Sequence, residues 1–235
     1  MTDILCHFDS YLKEFDAEIT EINDKGVVLD RTAFYPGGGG QPPDAGVIWF
    51  NDIEYEIKSI SRLNGKIIHN IEGEIPEVNS VVHGLIDWDR RYKLMRTHTA
   101  LHILCGVVWR DYEALVTGCD MKPLLGRMDF ELEQMSGDFA REIETRVNEE
   151  ISNARPINIE MISRKSASEI PDLIRTKINL LPEAIQEVRT VDIVGLDLQA
   201  DGGTHVENTK EVGGIIVTGH ESKGRVNKRL RIKVV

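Results

Sequence analysis

The sequence predicts an α+β protein, in which a small antiparallel β-barrel precedes a domain of helices and mostly antiparallel strands. Short apolar stretches separated by turn residues fill 17–87, a pattern typical of small barrels. From Asp89 onward the apolar period changes from two residues to about 3.6, which indicates helices alternating with strands. The distribution of charge divides the chain at the same place.

The formal net charge is −11 over 235 residues, and the first third carries nearly all of the excess acid. Residues 1–88 hold 6 basic and 16 acidic side chains, whereas 89–235 hold 22 and 23. We therefore expect two domains, 1–88 and 89–235. Overall acidity argues against a nucleic-acid partner, because phosphate binding depends on Lys and Arg. An acid-free basic tail is either a phosphate contact or a solvated edge hairpin. Its cations are Lys223, Arg225, Lys228, Arg229, Arg231 and Lys233.

Composition indicates an ordinary globular protein, with 41% apolar and 29% charged residues. No signal-peptide pattern and no apolar run of about 18 residues is present, so we expect a soluble, cytoplasmic protein without a membrane partner. The cysteines Cys6, Cys105 and Cys119 are odd in number and lack paired spacing, which predicts reduced thiols rather than disulfides.

Turn residues separate the strands predicted for the barrel. Asn64-Gly65 is the strongest hairpin signal, with weaker ones at 23–26 and 51–52. The predicted strands are 17–22, 27–29, 46–50, 53–57, 59–63, 66–71 and 80–86.

A glycine- and proline-rich segment, 32–43, interrupts these strands and is unsuited to a sheet ladder. It is not a Walker loop, because no Gly-Lys-Ser/Thr follows its glycines. One interpretation is a plain flexible loop. The other is a loop whose backbone approaches a ligand closely, with Gly38, Gly39 and Gly40 at its centre and the Gln41 amide at its end.

The helix predicted from Asp89, with Asp87 or Asp89 as N-cap, carries His98 and His102 one turn apart on the same face. About a hundred residues later, a glycine-containing turn supplies Asp201 and His205. Three or four N/O ligands from two segments are what a zinc site needs. The alternative is a pair of hydrogen-bonded core histidines. Cys105 is a candidate ligand or, more simply, a core thiol.

The remaining elements complete the second domain. They are a helix from Ser136 that stops by Pro156, a strand at 157–161, a helix over 163–175, a strand at 188–194, and a hairpin of 214–219 and 226–235 around 222–224.

Three segments together carry a family resemblance: 32–41, then Asp87 through His102, and finally 201–213. Their order and separation match over essentially the whole chain. The sequence resembles the editing domain of alanyl-tRNA synthetase, and more closely the free-standing AlaX trans-editing proteins of the type with an N-terminal barrel.

The resemblance implies an alanyl/threonyl-tRNA synthetase-type editing domain at 89–235, with one Zn²⁺ per chain and no nucleotide cofactor. The family pattern is HxxxH followed by CxxxH. His98, His102 and His205 occupy its histidine positions, while Asp201 stands where the family has cysteine. The implied activity is hydrolysis of mischarged tRNA(Ala), chiefly the seryl form and sometimes the glycyl form.

Within that function, Gln41 and Thr97 are candidates for reading a seryl hydroxyl, since buried polar groups discriminate best against a substrate that lacks one. Otherwise Gln41 ends a turn and Thr97 bonds back within its helix. Arg90, Arg91 and Lys93, or the basic tail, are expected to contact tRNA phosphates. Two other functions stay open: editing of another aminoacyl-tRNA, and a non-catalytic, zinc-stabilised tRNA-binding module.

Overall fold

The structure is a computed structural model, and it describes residues 2–176 and 185–235. The chain forms two compact units, Met1–Lys93 and Leu94–Val235. The boundary between the units lies inside the first helix, slightly after the predicted division at 88/89. The predicted α+β class is confirmed, because a closed antiparallel barrel is followed by helices and two further sheets.

The first unit contains eight strands within its described residues. They are β1 (Asp3–Ile4), β2 (Glu14–Asn23), β3 (Gly26–Leu29), β4 (Arg31–Thr32), β5 (Gly46–Phe50), β6 (Ile53–Leu63), β7 (Lys66–Ile71) and β8 (Val81–Ile86).

Six of these strands close into a barrel in the order β2-β3-β7-β6-β5-β8. Side chains along β2 alternate between exposed and buried, as expected for a strand with one face on a core. Phe15, Ala17 and Ile19 point inward and join Ile48 and Ile57 in one apolar cluster. This core, rather than a disulfide, holds the unit together, since Cys6 is a free buried thiol.

One prediction for the barrel is wrong in detail. The segments 53–57 and 59–63 are a single strand, β6, which pairs with β5 through its first half and with β7 through its second. An irregularity in register between Ile57 and Ser59 lets the strand bend from one partner to the next. The alternation of apolar and polar residues slips there, which is why the sequence suggests two strands.

The second unit contains the following elements. The helices are α1 (Trp88–Tyr112), whose first turns belong to the first unit, α2 (Gly137–Ser152) and α3 (Arg164–Glu169). The strands are β9 (Val116–Lys122), β10 (Leu125–Phe130), β11 (Ile157–Ser163), β12 (Glu187–Ile193), β13 (Asp197–Ala200), β14 (Ile215–Gly224) and β15 (Asn227–Val234).

Helix α1 is the core element of the second unit. The Asp87 carboxylate caps it by accepting the Arg90 N–H at 3.1 Å. Leu101 packs against Gly126 on the four-stranded sheet β14-β15-β10-β9, where an added Cβ would lie 3.0 Å from the leucine. Gly106 faces Leu196 at the turn of the three-stranded sheet β11-β12-β13. The histidine-bearing helix therefore lies between two sheets.

Several differences from the predicted elements have local causes. Helix α3 ends at Glu169 instead of continuing to 175, because Pro171 disfavours helical backbone at Ile170. Strands β9, β10 and β13 are not predicted. The β14–β15 hairpin is confirmed, but its strands continue to Gly224 and resume at Asn227, beyond the predicted turn at 222–224. Among the described residues, no helix combines the length and apolarity required to cross a bilayer.

Candidate metal centre

Helix α1 presents His98 and His102 from the middle of its buried length. The two residues are 3% and 7% exposed, and their ring centroids lie 5.0 Å apart. A spacing of four residues places both rings on one face of a helix. The two predicted histidines are therefore neighbours, in a part of α1 that solvent barely reaches.

The second segment follows β13. The Asp201 N–H donates to the Arg189 carbonyl at 3.1 Å, and Arg189 Nη1 donates back to the Asp201 carbonyl at 2.9 Å. The Asp201 carboxylate accepts the Gly203 N–H at 2.6 Å, which turns the chain toward His205. His205 is 1% exposed.

The two segments bring four side chains to one point. One potential ligand atom from each of His98, His102, Asp201 and His205 lies within 4.8 Å of all the others. Asp201 Oδ1 is 3.7 Å from His98 Nε2, and Asp201 Oδ2 is 3.1 Å from His205 Nε2. The His205 ring stacks on that of His98, with centroids 4.2 Å apart.

These separations fit a metal ion. Four donors at about 2.1 Å from a tetrahedral zinc are about 3.4 Å from each other, and the two Asp201–histidine distances bracket that value. Three imidazole nitrogens with one carboxylate oxygen are ligands that a first-row divalent ion accepts. The group can therefore hold a metal, and its members are the four residues that the sequence indicates.

The electrostatics of the cluster favour metal binding at neutral pH. Burial lowers the pKa of His98 well below its usual value and lowers the pKa of His205 to about 4, so both rings are neutral. Although burial would raise the pKa of Asp201, the nearby imidazoles hold that pKa well below its usual value. Burial opposes protonation of His102, but its contact with the Asp197 carboxylate raises the pKa overall.

The outer ring nitrogens have partners that the sequence does not predict. His102 Nδ1 lies 3.0 Å from Asp197 Oδ2, and His205 Nδ1 lies 3.2 Å from Thr99 Oγ1. Thr99 sits between the two histidines of α1, so the motif offered a signal for it. Asp197 and Arg189 are isolated in the sequence, and only the packing of the sheet against α1 brings them to the cluster.

Thr97 and Cys105, the other candidates on α1, have structural contacts. The Thr97 hydroxyl accepts the Leu124 N–H at 2.9 Å and so holds the turn between β9 and β10. Among the residues that the structure describes, Cys105 does not belong to the group of four potential metal ligands. Its buried thiol accepts the Gln199 side-chain amide at 3.3 Å, which confirms the alternative of a core thiol.

Hydrogen bonds across the glycine loop of the first unit favour a defined turn over a plain flexible loop. Gly38 and Gln41 exchange backbone hydrogen bonds of 3.0 and 2.9 Å, and the Tyr35 hydroxyl donates to the Gly38 carbonyl at 3.0 Å. Gly39 and Gly40 turn the chain with φ of 57° and 86°, which glycine adopts at little cost. The Gln41 side chain is 2% exposed.

Arg91 cannot contact a phosphate, so that prediction is wrong. The residue is completely buried in the first unit, where Nε donates to both carboxylate oxygens of Asp44 at 2.9 Å. Nη1 and Nη2 donate to the Ser10 and Ala33 carbonyls at 3.0 and 2.6 Å. A basic residue within a helical pattern is predicted to be exposed unless a buried acidic partner can be identified. The sequence does not identify Asp44 as that partner, because it lies 47 residues before Arg91.

The other basic candidates are only partly available. Arg90 donates to the Pro43 carbonyl at 3.2 Å, and Lys93 pairs with Asp89 at 2.5 Å while keeping 39% of its side chain exposed. In the basic tail, Arg229 binds Asp129 through two hydrogen bonds and the Lys228 ammonium is buried against backbone carbonyls. β15 lies between β14 and β10 in the sheet, so this part of the tail is not a solvated edge strand, and both cations are occupied within the protein.

Comparisons with known proteins agree with this architecture. A family model described as tRNA synthetases class II (A) matches residues 3–90. A second, described as Threonyl and Alanyl tRNA synthetase second additional domain, matches residues 188–231 and so includes Asp201 and His205.

Full-length relatives define the family. The chain is 39% identical over 242 residues to the alanyl-tRNA editing protein AlaX-M of Methanosarcina barkeri, covering 100% of both chains. It is 40% identical over 234 residues to AlaX-M of Saccharolobus solfataricus, covering 98% of each. A match to alanine--tRNA ligase of Pyrococcus furiosus, 34% identical, covers 91% of this chain but 24% of that enzyme. The chain therefore belongs to the AlaX-M family of alanyl-tRNA editing proteins.

Proposed function

We propose that this protein is a zinc-dependent deacylase that hydrolyses mischarged tRNA(Ala) in the cytoplasm, chiefly Ser-tRNA(Ala), with Gly-tRNA(Ala) as a second substrate. The observation that carries the proposal is the convergence of His98, His102, Asp201 and His205 in a member of the AlaX-M family. A buried group of three histidines and a carboxylate is suited to a metal and has no evident use in a passive fold.

Hydrolysis of an aminoacyl-tRNA needs few protein groups beyond this centre. An aminoacyl-tRNA is an activated ester on a ribose hydroxyl, so its hydrolysis needs a placed water and stabilisation of a tetrahedral oxyanion. A bound zinc would either acidify that water or hold the amino group of the ester. The low pKa values of His98 and His205 keep their nitrogen lone pairs available for one ion per chain.

Asp201 has two possible roles, and we favour ligation. Its oxygens lie 3.1 Å from a histidine nitrogen on one side and 3.7 Å on the other, the spacing of neighbouring ligands. A carboxylate is a harder ligand than the thiolate of the family pattern and leaves the zinc more electrophilic. In the competing role, Asp201 stays off the metal and takes the proton of the attacking water.

Selectivity against alanine is assigned to Gln41, with Thr97 as a second candidate and the backbone of Gly38, Gly39 and Gly40 as the frame. Gln41 is a buried residue at the end of a turn in which its backbone N–H and carbonyl are hydrogen-bonded to Gly38. A preorganised polar group favours a seryl hydroxyl and penalises a methyl group that cannot pair with it.

Arg90 and Lys93 remain proposed phosphate contacts, and the four-stranded sheet adds two lysines. Lys122 and Lys233 are exposed, and both pair with Leu125 in the ladder, one from each side. The preceding residue, Leu124, is bonded to Thr97, next to His98. We propose this row as a further contact for the phosphates of the tRNA acceptor end.

The deciding experiment compares deacylation of seryl-, glycyl- and alanyl-tRNA(Ala) by the purified protein. We expect rapid loss of serine, slower loss of glycine and little loss of alanine. Equal rates on seryl- and alanyl-tRNA would contradict the proposed selectivity. Activity only on a different tRNA would favour the related editing function, and binding without hydrolysis would favour the non-catalytic module.

A further inference from the structure

Asp197 is a buried carboxylate whose two oxygens are both in use. It is 2% exposed, at the first residue of β13. Oδ2 accepts the Gln199 side-chain N–H at 2.7 Å and lies 3.0 Å from His102 Nδ1, while Oδ1 pairs with the Arg175 guanidinium. Such a set holds the carboxylate in one orientation, with a single oxygen directed at the imidazole.

The turn between β12 and β13 lies close to α1 and so places the Asp197 carboxylate beside the helix. Gly106 lies one turn beyond His102 on α1. A Cβ at that position would lie 2.9 Å from Leu196 Cγ and 3.1 Å from Asp197 Cβ, closer than packed side chains tolerate. The absence of a side chain at Gly106 therefore lets the β12–β13 turn reach the helix face that carries His102.

The hydrogen bond determines which His102 nitrogen can face the cluster. A carboxylate at Nδ1 accepts a hydrogen bond from the N–H of that nitrogen, so the lone pair of the neutral ring is on Nε2. His205 is oriented in a similar way by the neutral Thr99 hydroxyl, which also accepts the Val206 N–H at 3.3 Å. The two Nδ1 atoms differ in one respect: that of His102 faces a carboxylate, whereas that of His205 faces a neutral hydroxyl.

We propose that Asp197 is a positioning residue for the metal ion, which it serves by fixing the Nδ1–H tautomer and orientation of His102 and by adding a second negative charge near the cation. This inference rests on the proposed metal function. Outer partners of this kind tune metal affinity strongly, and their loss costs about 10- to 100-fold. Arg175 balances the Asp197 charge when no metal is bound, so the carboxylate is not an unpaired buried charge in the metal-free protein.

The test measures zinc affinity by chelator competition in the full chain, without tRNA. Asp197→Asn keeps the shape and one acceptor oxygen but removes the charge, whereas Asp197→Ala removes both. We expect the zinc Kd to rise about 10- to 100-fold in these variants, and to rise more in Asp197→Ala than in Asp197→Asn. The matched control is Asp192→Asn, a carboxylate on neighbouring β12 opposite Leu198, for which we expect an unchanged Kd.

Two further readouts separate positioning from folding. The metal-free Asp197→Asn protein should lose stability, because the buried pair with Arg175 is broken, but should still unfold in one cooperative transition. The cobalt(II)-substituted Asp197→Ala protein should show an altered visible spectrum, because His102 then lacks the acceptor that orients its ring. A zinc Kd and cobalt spectrum that match those of the unsubstituted protein would overturn the inference while the proposed function stands. If the unsubstituted protein binds neither zinc nor cobalt, the proposed function fails and the inference fails with it.

Discussion

Each unit of this protein buries a cluster of charged and polar side chains, and the two clusters differ in how their charge is balanced. In the first unit, Asp44 meets the Arg91 guanidinium directly, and backbone carbonyls take the remaining donors. In the second, Asp201 lies beside two imidazoles with depressed pKa values, and the Arg189 Nη1 is 3.9 Å from its Oδ2.

The difference separates a structural cluster from a functional one. A buried ion pair with complete hydrogen bonding supplies its own counter-charge and needs nothing more. The partly exposed Asp201 carboxylate lies beside neutral imidazoles, while the Arg189 guanidinium donates to the Asp201 carbonyl and stays 3.9 Å from the carboxylate, so a cation would complete this cluster. We therefore expect substitutions in the Arg91 cluster to change folding, and substitutions in the histidine cluster to change metal content and activity.

The largest expected effect is the loss of metal from the histidine cluster. His98→Ala and His205→Ala should each lose stoichiometric zinc and reduce seryl-tRNA(Ala) hydrolysis to the uncatalysed rate, because each removes one of the imidazole nitrogens that converge on the ion. Elemental analysis of the purified variants checks this expectation. Undiminished zinc in both variants would remove the metal assignment.

Next in size is the effect of Arg91→Ala on folding. Breaking a buried ion pair from one side leaves the Asp44 charge without its partner, so the free energy of unfolding should fall by about 3–5 kcal/mol. Urea unfolding measures the change, and zinc per chain should stay at the unsubstituted level. The control is Arg31→Ala, which breaks an exposed pair with Asp30 and should cost no more than about 1 kcal/mol. Similar costs for the two variants would contradict the structural role of Arg91.

Asp201 offers a further test of the histidine cluster, because its two proposed roles predict different results for the same two variants. As a ligand, Asp201→Cys should keep zinc and most activity, whereas Asp201→Ala weakens zinc retention. As a base, both changes should abolish hydrolysis with zinc content intact. Zinc analysis together with single-turnover hydrolysis distinguishes them. An Asp201→Ala protein with full zinc and full activity would leave Asp201 as a turn residue.

The pH dependence of zinc binding should reflect the protonation of His102. Above its raised pKa all three rings are neutral and no proton competes with the metal. Below that pKa one proton must leave before zinc binds, so the Kd should rise about tenfold per pH unit. His205 adds a second proton only near its pKa of about 4. Competition titrations from about pH 8 to about pH 5 measure this slope, and a flat profile would contradict it.

The smallest expected effect concerns selectivity. Gln41→Ala should lower hydrolysis of seryl-tRNA(Ala) by about 10-fold or more and change the alanyl rate less, because only the seryl hydroxyl loses a partner. Thr97→Val tests the second candidate, although it also removes the bond to the Leu124 N–H. The ratio of the two deacylation rates is the readout. If neither substitution moves the ratio, both residues are structural.

The sequence predicted what depends on local spacing. Alternation and turn residues indicated most barrel strands, and the four-residue spacings indicated the metal group, because both signals lie within a few residues. It missed β9 and β10, whose burial pattern does not alternate cleanly. It also missed Asp197, which reaches His102 through a close approach at Gly106. Arg91 was misassigned because its buried partner, Asp44, is remote in the sequence.

The most direct test of the central claim is hydrolysis of Ser-tRNA(Ala) by one preparation in three states: as purified, after removal of metal by chelation, and after readdition of one equivalent of zinc. We predict activity in the first state, loss in the second and recovery in the third, with Ala-tRNA(Ala) largely spared throughout. Undiminished hydrolysis by the metal-free protein would contradict the account of this centre.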